Sequence, residues 1–401
     1  MDACVKNKVM ENSVWAILLV SSMCVVHQTH ADRLCLTGNF EHQVATVLSH
    51  IRLSDERLGN ISQVPRDLER LFQHHWPGCK VLRFGSTITL LALKSSDVDC
   101  FVDIPGDDIG DPQALLTEAL AILKNHPNLF EHFVLKQSVR VPLLTCKHIP
   151  ANISVDISVS GPFAVNSSRV LSHLLHLDQR GLDLARILKY WGTVHDLANG
   201  KLTLPSYAVV LMAVFYLQQK NIVPSVAALQ QNATPYEVEH WNTAFLPIEY
   251  HTDNKETLYE LLGGFFTYYS DFDFRNTVIS PYVGYPIKIA DFDKMTNFGM
   301  YKRNVANGYA KPFPFGYLNI QDNLRHSENV ARPSDVQRSA LRLIRHVRAA
   351  ARMYRELSSE EFLTAMLVPE KREETGRKTI FWGGGVIGSL EDCMRHQEKN
   401  S

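Results

Sequence analysis

The chain has 401 residues, of which 45% are hydrophobic and 21% charged, and its formal net charge is −1. This composition is typical of a folded protein with one or two domains and excludes a disordered or low-complexity chain. The neutral balance also excludes a uniformly basic nucleic-acid-binding protein, so any basic surface must be local.

The first feature along the chain is a short apolar stretch, Val14–Val26, which follows Lys6 and Lys8. It is too short to span a bilayer but fits the core of a signal peptide. A buried N-terminal helix or an imperfect gene model would also account for it. Against secretion, the seven cysteines are scattered, and glycans on the sequons at Asn152 and Asn166 would flank a candidate site. We therefore expect a cytoplasmic or nuclear protein with reduced thiols and no membrane contact.

Short helices and strands alternate irregularly in the first half of the chain. This mixture predicts an α+β domain rather than regular βαβ winding. The pattern predicts helices at Phe40–Ile51, Pro65–His75 and Pro112–Leu123, and strands at Val81–Phe84, Val98–Ile104, Phe133–Val141 and Ile153–Val159.

The second half of the chain reads as helical. Tyr207–Leu217 is apolar all round, which predicts a buried helix. The last helix begins with a capping box formed by Ser334 and Gln337. The change of pattern places a domain boundary near Asn166. The predicted helices are Gly181–Leu197, Tyr207–Leu217, Thr257–Tyr269 and Ser334–Leu357.

Two aspartates in alternation form the most informative motif. Asp97 and Asp99 stand at strand spacing in FGSTITLLALKSSDVDCFVDI, so both carboxylates leave the same face. Gly85 and Ser86 lie upstream, where backbone amides can approach a phosphate without a β-carbon in the way. The ordinary alternative is a strand end with two solvated aspartates, but aspartate is depleted in strands. The motif is what a divalent metal on a nucleoside triphosphate requires.

A third carboxylate belongs to the segment ISVDISV. Its apolar positions share one face of the predicted strand, which leaves Asp156 on the other face with Ser154 and Ser158. Three crowded carboxylates would raise one another's pKa, so a cation is their natural partner.

An ordered set of segments resembles the poly(A)/poly(U) polymerase-like RNA terminal nucleotidyltransferases of the DNA polymerase beta superfamily. The resemblance covers residues 40–357. It implies a nucleotidyltransferase palm with a small mixed sheet over 40–165, a mostly helical PAP-associated domain over 166–357, and tails at 1–39 and 358–401. The segments are GSTITLLALKSSDVD, VDIS, NSSRVLSHLLHLDQR, ILKYW, LPSYAVVLM and IQDNLRHSENVAR.

The resemblance also implies a role for each site residue. Asp97, Asp99 and Asp156 would bind Mg²⁺ (or Mn²⁺), and Asp156 would orient the 3′-hydroxyl of the RNA. The partners would be an RNA 3′ end and a nucleoside triphosphate, and the protein would act as a monomer. The implied nucleotide-binding residues are Gly85 and Ser86 at the phosphates, Asn166 and Ser167 at the ribose, Lys189 and Ser206 at the triphosphate, Tyr207 under the base, and Asp322 and Glu328 near the base.

Three positions depart from the family pattern. Leu90 replaces a glycine of the Gly-Ser loop, so we expect the turn to be made differently. Thr193 replaces a second phosphate-binding lysine, for which Lys201 could substitute, and Ser160-Gly161 replaces a second asparagine. These departures keep a catalytically weak RNA- or nucleotide-binding pseudoenzyme open beside the enzyme.

Base choice stays open at Glu328, where the uridylyltransferase branch has a histidine. An ionised glutamate only accepts hydrogen bonds, so it could take either uracil N3–H or the adenine amino group. His326 could serve only if the register shifts. The NSSRVLSHLLHLDQR stretch is most similar to small-nuclear-RNA-specific terminal uridylyltransferases, which favours UTP over ATP.

The last predicted helix carries a row of arginines. Arg338, Arg342 and Arg345 fall on one side of it, opposite its apolar residues. The row is either a solvated face or a track for the RNA backbone, since this neutral chain shows no other basic stretch.

Overall fold

Residues 36–106, 110–136, 141–198, 203–331 and 336–368 are described in the computed structural model of the chain. The apolar stretch Val14–Val26, Lys201 and Ser334 lie outside the described residues, as does everything after residue 368. In the part of the chain that is described, no helix is both long and apolar enough to cross a membrane.

A five-stranded mixed sheet forms the centre of the first half. Its order is β1-β2-β5-β4-β3, with β2 and β5 parallel and all other neighbours antiparallel. This arrangement confirms the predicted α+β fold with a small mixed sheet. The strands are β1 (Lys80–Phe84), β2 (Val98–Asp103), β3 (Phe130–Lys136), β4 (Leu143–His148) and β5 (Ile153–Ser158).

Alternation of apolar residues fixes which face of the sheet is buried. Val98 and Cys100 of β2 and Val155 and Ile157 of β5 are all buried on the core side. Each fully buried aliphatic side chain of this size stabilises the fold by about 1.5–3 kcal/mol. Because side chains alternate along a strand, the remaining positions of β2 and β5 point away from this core.

Three helices belong to this half: α1 (Phe40–Ile51), α2 (Asp55–Phe72) and α3 (Pro112–Lys124). The prediction that the second helix begins around Pro65 is wrong, because α2 begins at Asp55. The Ser54 side chain accepts a hydrogen bond from the Arg57 amide and caps the helix there, so Pro65 lies within it. Strand β4 is absent from the prediction.

The second half is mostly helical, as predicted. Eight helices are described here, together with a β-hairpin and a small three-stranded sheet of order β10-β8-β9. The helices are α4 (Pro162–His176), α5 (Gln179–Val194), α6 (Ser206–Gln219), α7 (Val226–Gln230), α8 (Leu258–Ser270), α9 (Gly299–Ala306), α10 (Val336–Glu356) and α11 (Ser359–Met366). The strands are β6 (Glu237–Val238) and β7 (Trp241–Asn242) of the hairpin, and β8 (Thr277–Ile279), β9 (Ile287–Lys288) and β10 (Asn319–Ile320).

The junction between the two halves is a helix rather than a loop. Asn166, where the sequence predicts a boundary, lies inside α4. Helix α6 is buried along nearly all of its length, in agreement with its uniformly apolar sequence. The division into domains at this point stays a prediction.

Candidate active site

The three predicted carboxylates come together at one end of two parallel strands. Asp99 of β2 and Asp156 of β5 are direct partners in the strand register, and Asp97 precedes β2 by one residue. The Thr145 hydroxyl of β4 donates a hydrogen bond of 2.6 Å to Asp156 Oδ1. Parallel pairing therefore places residues that are distant in sequence next to each other, on the face that the core does not use.

The acidic residues repel one another electrostatically. Burial first, and then the charges of Asp97 and Asp156, raise the pKa of Asp99 to about 8. Burial and the charge of Asp156 also raise the pKa of Asp97. Lys189 acts against this rise in both groups. A cluster of this kind favours either protons or a cation.

The carboxylates fit a divalent ion that shares its ligands with a substrate. Among the described residues, no group of three His, Cys, Asp or Glu side chains could hold a metal ion alone. Mg²⁺ is commonly bound by one or two carboxylates together with substrate phosphates and water, rather than by an all-protein cage. Asp97 and Asp99, with Asp156 beside them, supply that kind of partial ligand set.

The turn after β1 faces this cluster at very close range. Gly85 has a φ of +66°, in the left-handed region, and a Cβ added to it would overlap the Asp99 carboxylate. Its amide donates a hydrogen bond of 2.8 Å to the Ser168 hydroxyl of α4. Ser86 is the middle residue of this 3₁₀ turn. Glycine at position 85 therefore leaves room for the carboxylate, which any other residue would displace.

Leu90, where the sequence predicts a different turn, adopts the left-handed conformation, with a φ of +56°, that a glycine adopts easily. Whether the family's glycine turns the loop in another way stays a prediction. This backbone costs a residue with a side chain about 1–2 kcal/mol. The Arg186 guanidinium donates a hydrogen bond of 3.1 Å to the Leu90 carbonyl, which holds the loop against α5.

Lys189 of α5 connects the same loop to the acidic cluster. Its side chain is 5% exposed, and its ammonium donates a hydrogen bond of 2.9 Å to the Leu91 carbonyl. Burial lowers the pKa of Lys189 to about 8, although the charges of Asp99 and Asp97 act in the opposite direction. The residue one turn later, Thr193, donates its hydroxyl to the Lys189 carbonyl. Among the described residues, Lys189 is thus the cation whose charge lowers the pKa of both Asp97 and Asp99.

A second cluster joins α4, α6 and the loop after β10. The Ser167 hydroxyl lies 2.8 Å from the Tyr207 hydroxyl and donates a hydrogen bond of 2.8 Å to Asn323 Oδ1. The Tyr207 hydroxyl in turn lies 2.9 Å from Asp322 Oδ2. Burial, followed by the charge of Asp322, raises the pKa of Tyr207. Three predicted nucleotide-binding residues therefore meet in one hydrogen-bonded group.

Two members of this region are missed by the sequence analysis. Asn323 is one residue beyond Asp322 in the same motif, so its sequence position could have identified it. No sequence motif points to Thr243, whose hydroxyl accepts a hydrogen bond of 3.1 Å from the Asn166 side chain.

The remaining predicted residues occupy distinct environments. Ser206 is the first residue of α6, where helix amides are available to an anion. Glu328 is half-buried, and its carbonyl accepts a hydrogen bond from the Asp322 amide. His326 is 4% exposed and its ring centroid lies 3.8 Å from that of Tyr282, while burial lowers its pKa to about 3. His326 is therefore a core residue, and the alternative register that would bring it into the site is not adopted.

The arginine row of α10 divides between two environments. Arg338 and Arg345 are exposed. Arg342 is half-buried, and its guanidinium donates a hydrogen bond of 2.8 Å to the carbonyl of His195, the residue that ends α5. Arg342 therefore secures α10 to α5.

Comparison with known proteins places both halves of the chain. Residues 40–176 match the family model of the central palm domain of mitochondrial-like poly(A) RNA polymerase. Residues 257–326 match the model described as Cid1 family poly A polymerase. Between them these two models include β2, β5, Ser167 and Asp322.

Similar full-length proteins and structures agree with these models. The speckle targeted PIP5K1A-regulated poly(A) polymerase of Danio rerio is 25% identical over an alignment of 348 residues that covers 74% of this chain and 43% of that protein. Terminal uridylyltransferase 7 of Homo sapiens is 27% identical over 234 residues, 54% of this chain and 16% of that protein. The chain thus spans less than half the length of these relatives. The crystal structure of mtPAP with ATPgammaS shares the fold, with a TM-score of 0.71 at 21% identity over 83% of this chain and 73% of that one.

Proposed function

We propose that this chain, which belongs to the RNA terminal nucleotidyltransferase family of poly(A) polymerases and terminal uridylyltransferases, adds nucleotides to RNA 3′ ends without a template. The observation that carries the proposal is the register of β2 and β5, which puts Asp99 beside Asp156 and opposite the Gly85 turn. A buried lysine behind that turn supplies positive charge where a triphosphate would lie.

The reaction would be an in-line displacement at phosphorus. The oxygen of the RNA 3′-hydroxyl would lose its proton to solvent and form a bond to the α-phosphorus, while the bond from that phosphorus to the bridging oxygen breaks and pyrophosphate leaves. Asp156 would accept a hydrogen bond from the 3′-hydroxyl and orient it. Mg²⁺ or Mn²⁺ held by Asp97 and Asp99, when bound, would neutralise charge on the attacking and leaving oxygens.

Ser86, Lys189 and Ser206 would bind the triphosphate. Asn166 and Ser167 would contact the ribose, and the Tyr207 ring would stack on the base. The roles of Ser206, Tyr207 and Ser167 are supported by their positions: Ser206 begins α6, and the Tyr207 and Ser167 hydroxyls share a hydrogen bond. The exposed arginines Arg338 and Arg345 would add contacts with the RNA backbone.

UTP is the nucleotide we propose first, with ATP as the second candidate. The resemblance of the α4 segment to uridylyltransferases favours UTP, whereas the first relative above carries the name of a poly(A) polymerase. Glu328, half-buried near Tyr207, could accept a hydrogen bond from either base. We also propose a monomer located in the nucleus or cytoplasm, in keeping with a relative named as speckle targeted.

The test is extension of a 5′-labelled oligoribonucleotide by the purified chain, with Mg²⁺ or Mn²⁺ and each of the four triphosphates in a separate reaction. We expect a ladder with UTP, and a stronger ladder with ATP would reverse the base assignment. The double variant Asp97→Ala/Asp99→Ala should give no ladder while keeping the circular dichroism of the wild type. Absence of a ladder with every triphosphate would favour the pseudoenzyme, and extension by the double variant would refute the site.

A further inference from the structure

An exposed pair of stacked rings lies on the helical half of the molecule, outside the residues assigned above. The rings of His240 and Tyr309 have centroids 4.0 Å apart and planes only 4° from parallel. Both side chains are exposed, and that of Tyr309 is 59% accessible to solvent. Large aromatic rings are usually buried, so a stacked pair that is exposed to solvent offers an apolar surface on which a further planar ring can stack.

The turn that presents His240 is made of residues that do not suit it. Glu239 and His240 are the two central residues of the hairpin between β6 and β7, with φ values of +49° and +67°. A two-residue hairpin with positive φ at both positions strongly prefers Asn-Gly, Asp-Gly or Gly-Gly. The strained backbone therefore carries side chains that a stability-optimised turn would lack, which points to a use for them.

Both side chains at the hairpin tip are engaged. Glu239 forms an ion pair with Arg325, whose guanidinium also lies 4.3 Å from the centroid of the Phe163 ring. The Arg325 amide donates a hydrogen bond of 2.8 Å to Asp322 Oδ1. Asp322 is also the residue that is hydrogen-bonded to the Tyr207 hydroxyl. The hairpin tip is thus one side chain away from the group that is proposed to surround the nucleotide base.

A second connection leads from the hairpin to the ribose side of the proposed site. Thr243, which immediately follows β7, donates its amide to the Tyr236 carbonyl across the hairpin. Its hydroxyl accepts the hydrogen bond from Asn166. The Asn304 side chain of α9 anchors the tip by a hydrogen bond of 2.7 Å to the His240 carbonyl. The hairpin that carries His240 is therefore anchored to α9 and linked to Asn166 of the proposed ribose site.

The charges of the segments that carry the two rings suit a polyanion. The nearby acids Glu237 and Glu239 are paired with Arg303 and Arg325, respectively. Lys302 and Lys311, on either side of Tyr309 in sequence, are both exposed. Stacked aromatic rings flanked by cations are the combination that binds unpaired nucleotides, because every base has a π-face and every nucleotide a phosphate.

We propose that the His240–Tyr309 pair is a stacking platform for an unpaired base of the RNA strand whose 3′ end enters the proposed active site. The platform rests on the proposed function for the identity of its ligand, and it extends that function by naming where the strand is held. Single-stranded RNA near the 3′ end is therefore the substrate class that this surface recognises.

The test is the affinity of the full chain for a fluorescein-labelled single-stranded oligoribonucleotide, measured by fluorescence anisotropy without nucleotide. Tyr309→Ala should weaken binding about tenfold, since one base–aromatic stack is lost. Tyr309→Phe should bind like the wild type, because the ring is kept. His240→Gly should also weaken binding, while its thermal unfolding temperature equals or exceeds that of the wild type because glycine suits the turn. Tyr285→Ala, which removes another exposed tyrosine, is the matched control and should change nothing.

Two outcomes would overturn the platform. Equal affinity of all variants would do so and would leave this surface to a protein partner. An equal loss of affinity for a blunt duplex of the same sequence would do so too, because paired bases cannot stack on it. Failure of the platform and failure of the proposed function are distinguishable. Wild-type extension with unchanged variant binding refutes only the platform, whereas weaker binding by Tyr309→Ala without any wild-type extension refutes only the enzyme.

Discussion

Substituting Gly85 by alanine should separate stability from catalysis at the turn that faces the carboxylates. The left-handed backbone at Gly85 costs alanine about 1–2 kcal/mol. Alanine also reduces the conformational entropy of the unfolded chain, which offsets about 0.4–1 kcal/mol of this cost, so the net loss of stability is about 1 kcal/mol. The added Cβ would also overlap the Asp99 carboxylate and force it to move. Displacement of a reacting group by about 1 Å costs on the order of 100-fold in rate, and we expect that loss of kcat for RNA extension.

Gly78 provides a control with the same backbone problem and no catalytic neighbour. Its φ is +81°, and an added Cβ would meet Pro105 at 3.5 Å, an ordinary van der Waals contact. Gly78→Ala should therefore lose about as much stability as Gly85→Ala but keep its rate of extension. Denaturant unfolding and steady-state extension kinetics on both variants give the comparison. Similar rates for the two variants, at similar stabilities, would refute the contact between Gly85 and Asp99 as the cause.

Three further changes test the loop, the carboxylates and the helical core. Leu90→Gly should raise the free energy of unfolding by about 0.5–1 kcal/mol, because relief of the left-handed strain exceeds the entropic cost of glycine; a lower value would contradict the strain. In metal-free protein, the folded state holds more protons on Asp99 than the unfolded state does between pH of about 4 and the raised pKa of about 8. The free energy of unfolding should therefore fall as pH rises through this interval, and it should fall less in Asp99→Asn. The thermal unfolding temperature measured against pH checks this. Equal pH profiles for the wild type and Asp99→Asn would count against the raised pKa. Gly263→Ala should lower the free energy of unfolding by about 1–3 kcal/mol, because its Cβ would overlap the Tyr354 ring. Gly59→Ala has open space around it in α2 and should raise the free energy of unfolding by about 0.5–1 kcal/mol. Denaturant unfolding measures both, and the reverse order would contradict the packing of α10 on α8.

The carboxylate site could be anticipated from sequence because its elements are local. Asp99 lies in β2 and Asp97 one residue before it, so one short segment carries both, and the apolar residues around Asp156 fix the face it occupies. What the pattern could not supply is the pairing of β2 with β5, since parallel neighbours are joined through distant parts of the chain. Strand β4, with Lys147 and Thr145 among its apolar residues, lies between them and β3 and gave too weak an alternation to be predicted.

Contacts between residues far apart in sequence could not be predicted either. Ser167 reaches Asn323 over 156 positions, and its partner is decided by tertiary packing rather than by a motif. The left-handed backbone of Leu90 was hidden for a different reason. Leucine rarely adopts it, so sequence preference pointed away from the conformation that Arg186 and Lys189 hold in place through the Leu90 and Leu91 carbonyls.

We propose that the carboxylates at the paired ends of β2 and β5 act in nucleotidyl transfer. The most direct measurement is the single-turnover rate of oligoribonucleotide extension by Asp156→Asn, compared with Asp103→Asn. Asp103 is the exposed aspartate at the other end of β2, so its variant matches the change in charge and chemistry. Loss of several kcal/mol of transition-state stabilisation predicts a rate about a thousandfold lower for Asp156→Asn. The Asp103→Asn rate should equal that of the wild type, and equal rates for both variants would rule out a role of Asp156 in the reaction.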